Sequence, residues 1–172
     1  GDWMVLNDPR DPAVPAQRVL FGPTDRRGKI VTGGGKTVGF GLTPGGWSRL
    51  IGSDASKLAN RVVEITDQID LGARGLQAAL MADGDDDAAG VARFDRALLD
   101  LLARRPPTPA PALAVDHALR NQPRDVATFA ETAGMSERSL HRICLRAFGF
   151  PPKRLLRRQR FLYTLGLIRV TP

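Results

Sequence analysis

The order of hydrophobic patterns along the chain predicts an α+β fold, a small β-rich unit followed by helices. Three observations carry this. Residues 1–44 hold short runs rich in β-branched and aromatic residues, separated by Gly, Pro and Asp, the pattern of strands and turns. After Pro44 the apolar residues recur at three- and four-residue steps, the period of a helix. At Arg104–Pro111 the stretch RRPPTPAP puts four prolines into eight residues; proline lacks a backbone donor and disfavours helix in the residue before it, so a helix ends there and another begins beyond. The chain divides accordingly into residues 1–105, a Pro-rich linker at 106–111 and an all-helical stretch at 112–172.

Each element follows from local signals. DWMVLN, RVLFG and GKIVTG predict the first strands. In TVGFGL, Val38, Phe40 and Leu42 alternate with Thr37, Gly39 and Gly41, which predicts a strand with one buried face. ASKLANRVVEITDQI and LGARGLQAALM predict helices. The helix after Ala88 has the best stripe, Val91, Phe94, Leu98 and Leu102, and the acids of DGDDDAAG suit its positive end. Beyond the linker, PALAVDHALR places proline at a first helical position. Asp125 can cap a second helix burying Val126, Phe129, Ala130 and Ala133, and Ser136 can cap a third. Pro151 and Pro152 stop that helix after Gly149 and open a fourth, running to about Val170.

Charge is divided at the same linker. The 172 residues carry a net charge of +7. Residues 1–105 hold 14 Lys/Arg and 14 Asp/Glu, whereas residues 106–172 hold 11 and 4. Within AGMSERSLHRICLRAFGFPPKRLLRRQR, residues 133–160, there are eight Lys/Arg and one carboxylate, and none from 138 to 160. Solvated faces usually mix signs, and clustered positive charge attracts nucleic acid or acidic lipid. The 42% hydrophobic content suffices for a core. No apolar run is long enough to span a bilayer or to form a signal peptide. The single cysteine excludes an internal disulfide and fits a reducing, cytoplasmic setting. Gly1 in place of Met suggests a trimmed or partial chain.

Two helices joined by a tight turn pack as a helix-turn-helix when the first has a small residue at the crossing, the turn accepts a positive φ and the second has an apolar plug. Ala130, Gly134 and Leu140 meet these demands. At about 100° per residue, Leu140, Ile143, Cys144 and Ala147 fall on one side of the second helix. Arg138 and Arg142 fall opposite, flanked by His141 and Arg146. An anchored apolar face with long donors projecting outward suits the major groove, where arginine reads guanine O6 and N7 with two hydrogen bonds.

These residues resemble a family. Ser136–Lys153, SERSLHRICLRAFGFPPK, looks like the first helix-turn-helix of AraC/XylS-type transcriptional regulators, in Ser136, Arg138, Leu140, Arg142, Gly149, Pro152 and Lys153. Cys144 stands where the family usually has Phe, and Pro151 where it usually has Ser. The resemblance covers about residues 110–170 and implies a recognition helix at about 136–147 in double-stranded DNA. It implies base contacts from Arg138, His141 and Arg142. Phosphate contacts are expected from Ser136, Arg146, Lys153, Arg154, Arg157 and Arg158, and the helix after Pro152 would be the family's linker helix. Phe21-Gly22-Pro23-Thr24, Leu42-Thr43-Pro44-Gly45-Gly46 and Ala55-Ser56-Lys57-Leu58 resemble the tail of a sensory domain in one AraC-like subgroup. That implies a partial barrel in residues 1–105, a small-molecule effector there, and a homodimer. Family members carry a second helix-turn-helix, which this chain ends too early to form.

Other signals fail. IVTGGGKT lacks the glycine six residues before Lys36, where Ile30 stands, and reads as a hairpin turn. A calcium loop from Asp83 would need Gly at Ala88 and Glu at Phe94. His117, His141 and Cys144 are too sparse for a metal set, and Cys144 belongs to the core. Trp3 and Trp47 read as packing residues. With no paired acid and base and no activated nucleophile, the expectation is no enzyme, no metal and no cofactor. The rival classes are a protein-interaction module whose basic helices dock an acidic partner, and an enzyme within residues 1–105.

Overall fold

The computed structural model describes residues 3–6, 14–16, 19–26, 29–32, 39–65 and 87–170. Its strands are β1 (Trp3–Leu6), β2 (Val14–Ala16), β3 (Val19–Phe21), β4 (Lys29–Thr32) and β5 (Val62–Glu64). Its helices are α1 (Pro44–Leu50), α2 (Asp87–Arg104), α3 (Ala110–Arg120), α4 (Val126–Thr132), α5 (Glu137–Phe148) and α6 (Pro152–Val170), with a 3-10 turn at Ala55–Leu58. Among the described residues the protein is mostly helical, with two small antiparallel sheets.

One sheet has the order β2-β1-β4, with Trp3 opposite both Ala16 and Thr32. The strand β2 contains Pro15, which cannot donate to a ladder, and it lies on the sheet's edge, where proline is tolerated. The other sheet pairs β3 with β5, Leu20 facing Val63. This pairing corrects the helix expected over ASKLANRVVEITDQI. Its start is instead a 3-10 turn capped by Asp54, whose side chain accepts the N–H of Ser56, and Val62–Glu64 is strand. The β-branched pair Val62-Val63 finds a partner strand that no local pattern announces. A second correction concerns TVGFGL. Residues 39–42 are not strand, and Phe40, 42% exposed, packs edge-on against Phe94 at 5.0 Å. Thr37, Val38, the glycines before Lys36, residues 71–81, the acids at 83–86 and the side chain of Trp3 lie outside the described residues.

LTPGGW forms α1 for local reasons. Thr43 accepts the N–H of Gly46, and Pro44 takes the first helical position where no donor is needed. Trp47 and Leu50 are buried, and Trp47 donates its Nε1–H to the Ser53 carbonyl at 3.0 Å. Leu20, Trp47 and Ala55 make one small core. Leu50 and Leu101 make another. Arg49 donates to the Leu102 carbonyl at 2.7 Å, tying α1 to the end of α2. The stripe on α2 is shifted from expectation: Phe94 and Leu101 are buried, Leu98 and Leu102 half-buried, and Val91 is 54% exposed.

The helix α2 stops at Arg104, where the prolines begin, and α3 opens at Ala110 with Pro111 in its first turn. Thr108 between them donates its hydroxyl to the Gly45 carbonyl. The largest core joins Ala112, Val115 and Ala118 of α3, Phe129 and Ala130 of α4, and Leu140, Cys144, Ala147 and Phe148 of α5. Phe150, Leu155 and Leu156 close it. Phe129, Leu140, Val115 and Cys144 are fully buried. At about 25 cal/mol per Å² of apolar surface, this cluster is the main stabilising mass of residues 106–170. Among the described residues, no helix is long and apolar enough to cross a membrane.

Candidate nucleic-acid interface

The helices α4 and α5 are set by caps at every end. Asp125 starts α4 by accepting the N–H of Thr128 at 2.8 Å. The helix ends in a two-bond motif, Met135 N–H to the Ala130 carbonyl and Gly134 N–H to the Glu131 carbonyl. Gly134 takes a φ of 66° there, the left-handed turn that this motif needs. Ser136 then starts α5, its Oγ accepting the N–H of Ser139. Ala130 and Leu140 belong to one core, and Leu140 is 0% exposed, so the crossing is close and α5 is fixed about its own axis. Val126 is half-buried rather than buried.

Fixing that axis sends the polar face outward. Arg138, His141, Arg142 and Arg146 are all exposed, while Leu140, Cys144, Ala147 and Phe148 face the core and Ile143 is half-buried. Gly149, with φ 80°, ends α5, and Pro151-Pro152 restart the chain as α6. Lys153, Arg154, Arg157, Arg158 and Arg160 of α6 are exposed, with Leu155 and Leu156 turned inward. Among the described residues, Arg138, Arg142, Lys153, Arg157 and Arg158 have no ion pair. Each guanidinium presents five donors in a planar fork matching carboxylate, phosphate or a guanine edge. Such a surface can hold anions and can read hydrogen-bond patterns.

Two of the other expected contacts, Arg154 and Ser136, are already engaged. Arg154 pairs with Asp25 at 2.9 Å and lies over the Phe150 ring at 5.4 Å. The Asp54 carboxyl is held below its ordinary range chiefly by the hydroxyl of Ser56, bonded to it at 2.7 Å, and the charge of Arg146 makes the smallest contribution. The Ser136 hydroxyl serves the cap and donates to Ser139 Oγ at 3.2 Å. Arg160 donates to the carbonyl of Arg124, tying α6 to the turn before α4.

Asp25, Asp54 and Phe150 were not foreseen as neighbours of this surface. The two aspartates lie far away in sequence, so only the FGPTD and ASKL segments could have pointed to them, and through resemblance alone. His117 is exposed on α3, and no cluster of three metal-ligating side chains occurs among the described residues. Cys144 is 0% exposed, and burial pushes its thiol up to about 12.

Compared with models of protein families, with curated proteins and with solved structures, the chain matches none.

Proposed function

We propose that this protein is a sequence-specific DNA-binding transcriptional regulator of AraC type, in which α4, the turn and α5 act as a helix-turn-helix. One observation carries the reading: an exposed run of Arg and Lys without a carboxylate, braced from behind by fully buried Leu140 and Cys144. Arg138 and Arg142 read base edges in the major groove with help from His141, and Lys153, Arg157 and Arg158 hold phosphates and fix register. The β-rich first part serves as a partial-barrel sensory or dimerising region for a small effector. The helix α6 acts as the linker to a further module. Its exposed Phe161 and Ile168, seven positions apart and so on one side of the helix, supply an apolar surface for such a neighbour.

Binding sites selected from a random duplex library provide the test. Arg142→Ala should weaken the selected site by about 1–3 kcal/mol and relax preference at one base pair. Arg157→Ala should weaken all duplexes alike and flatten the salt dependence. Equal losses for Arg142→Ala on selected and random duplex would remove its base-reading role.

The seating of Asp25 against Arg154 favours a second reading, because it shows a protein carboxylate fitting this surface. In that case the basic helices dock an acidic protein partner. A DNA binder's log affinity falls linearly and steeply with log salt; a flat response with random duplex favours the protein partner.

A further inference from the structure

The loop after β3 is a built element. Gly22 donates its N–H to the Arg61 carbonyl at 2.9 Å, and the Pro23 carbonyl accepts the N–H of Asn60 at 2.8 Å. A Cβ on Gly22 would lie 1.8 Å from the Leu58 carbonyl oxygen, so glycine alone permits this approach. Asn60, at φ 58°, turns its side-chain oxygen to the loop, accepting the Asp25 N–H at 3.1 Å and the Thr24 hydroxyl at 3.2 Å. The Arg26 N–H closes on Thr24 Oγ1 at 3.2 Å. Asp25 is thereby held in place through its own backbone and both neighbours, and its side chain is only 18% exposed.

The other half of the contact is equally ordered. Arg154 sits in the first turn of α6, its backbone N–H bonded to the Pro151 carbonyl, and its guanidinium lies over Phe150, which is 5% exposed. Pro23 and the Ala55 carbonyl close on Gly149 at the same corner. Arg154 is also flanked in sequence by Lys153 and Arg157, which have no carboxylate partner among the described residues.

Resting on the reading of this surface as a polyanion site, we infer that Asp25 is an electrostatic latch. It occupies Arg154 in place of a phosphate, so that seating of the β3 loop and use of Arg154 by a polyanion exclude one another. The first part of the chain thereby lowers the affinity of the basic surface, and anything that lifts the loop returns Arg154 to it.

The test uses the full chain as wild type, Asp25→Asn, Arg154→Ala and the double variant. Each is titrated with random duplex and separately with heparin between about 50 and 200 mM salt. One added phosphate contact steepens the log–log slope by about 0.9, an extra loss of roughly 3.5-fold across that range. Asp25→Asn should show this steepening and bind about two- to fivefold tighter at low salt. Arg154→Ala should change little in the wild type and abolish the gain of Asp25→Asn. Persistence of the gain in the double variant would mean a general charge effect and overturn the latch. So would Arg154→Ala flattening the wild-type slope, or Asp25→Asn being silent on both probes. Asp25→Glu, which keeps the charge, should stay near wild type, and matched urea midpoints exclude misfolding as the cause. Tighter heparin binding by Asp25→Asn with no duplex binding at all would keep the latch and sink the DNA reading. Duplex binding with silent Asp25→Asn would do the reverse. Absence of any polyanion binding in every variant would sink both.

Discussion

Two glycines with the same backbone demand but different surroundings give the sharpest test of how the corner after α5 is seated. Gly134 and Gly149 have φ of 66° and 80°, where an L side chain costs about 1–2 kcal/mol. A Cβ at Gly134 would meet nothing within 4 Å, so Gly134→Ala should cost that backbone amount alone. A Cβ at Gly149 would lie 2.9 Å from Pro23 Cγ, 3.0 Å from Pro23 Cβ and 3.2 Å from the Ala55 carbonyl oxygen. A proline ring and a backbone carbonyl cannot swing aside, and overpacking of this kind adds about 1–3 kcal/mol. Gly149→Ala should therefore cost about 2–5 kcal/mol in all. Urea unfolding followed by far-UV circular dichroism measures both, with the slope checked for constancy. Pro23→Ala in the Gly149→Ala background should recover part of the loss, because it removes Cγ. Equal costs for the two glycine variants would refute the docking of the β3 loop and the 3-10 turn on this corner.

Three further outcomes follow from the core and the caps. Leu140→Ala should cost about 2–5 kcal/mol by urea midpoint, and Leu140→Met less than about 1.5; similar losses would contradict a tightly filled α4–α5 crossing. The Cys144 thiol, pushed up to about 12 by burial, should resist alkylation at about pH 8, since the thiolate is the reactive form. Its labelling rate should rise with urea along the unfolding curve, and fast labelling of the native protein would contradict its burial. The Asp125 carboxyl is held below its ordinary value by the Thr128 backbone N–H, and that of Asp54 by the Ser56 hydroxyl. A carboxyl depressed on folding stabilises above its unfolded value, and that contribution fades as pH falls through the folded value. The urea midpoint should therefore drop as pH falls through and below the ordinary aspartate value, with a smaller drop in Asp125→Asn; an unchanged drop would argue against the cap.

The residues that were legible and those that were not differ in range. Asp125, Ser136, Gly134, Gly149 and the Pro151-Pro152 pair act on backbone groups within a few positions, so the bounds of α4, α5 and α6 could be read from the chain. The outward face of α5 was legible for the same reason. Leu140, Cys144 and Ala147 share one side of a 3.6-residue period, and placing them in a core leaves Arg138, His141 and Arg142 outside. Val62-Val63 was misread because β-branched residues also occur in helices, and the strand that claims them lies over forty positions earlier at Val19–Phe21. Phe40 sat in a clean alternation, yet its partner is the ring of Phe94 on α2 rather than a neighbouring strand.

By itself, then, the sequence determined where the helices beyond the linker start and stop and which side of α5 carries its charge, because caps, prolines and helical periodicity are short-range forces. Tertiary structure alone decided that β3 pairs with β5 and that Pro23 closes on Gly149. It alone sets Asp25 on Arg154, while leaving Arg138 and Arg142 without a carboxylate among the described residues. Those contacts join segments from opposite parts of the chain. Their chain-closure entropy is offset only when the cores of both parts form together, and no local pattern encodes that.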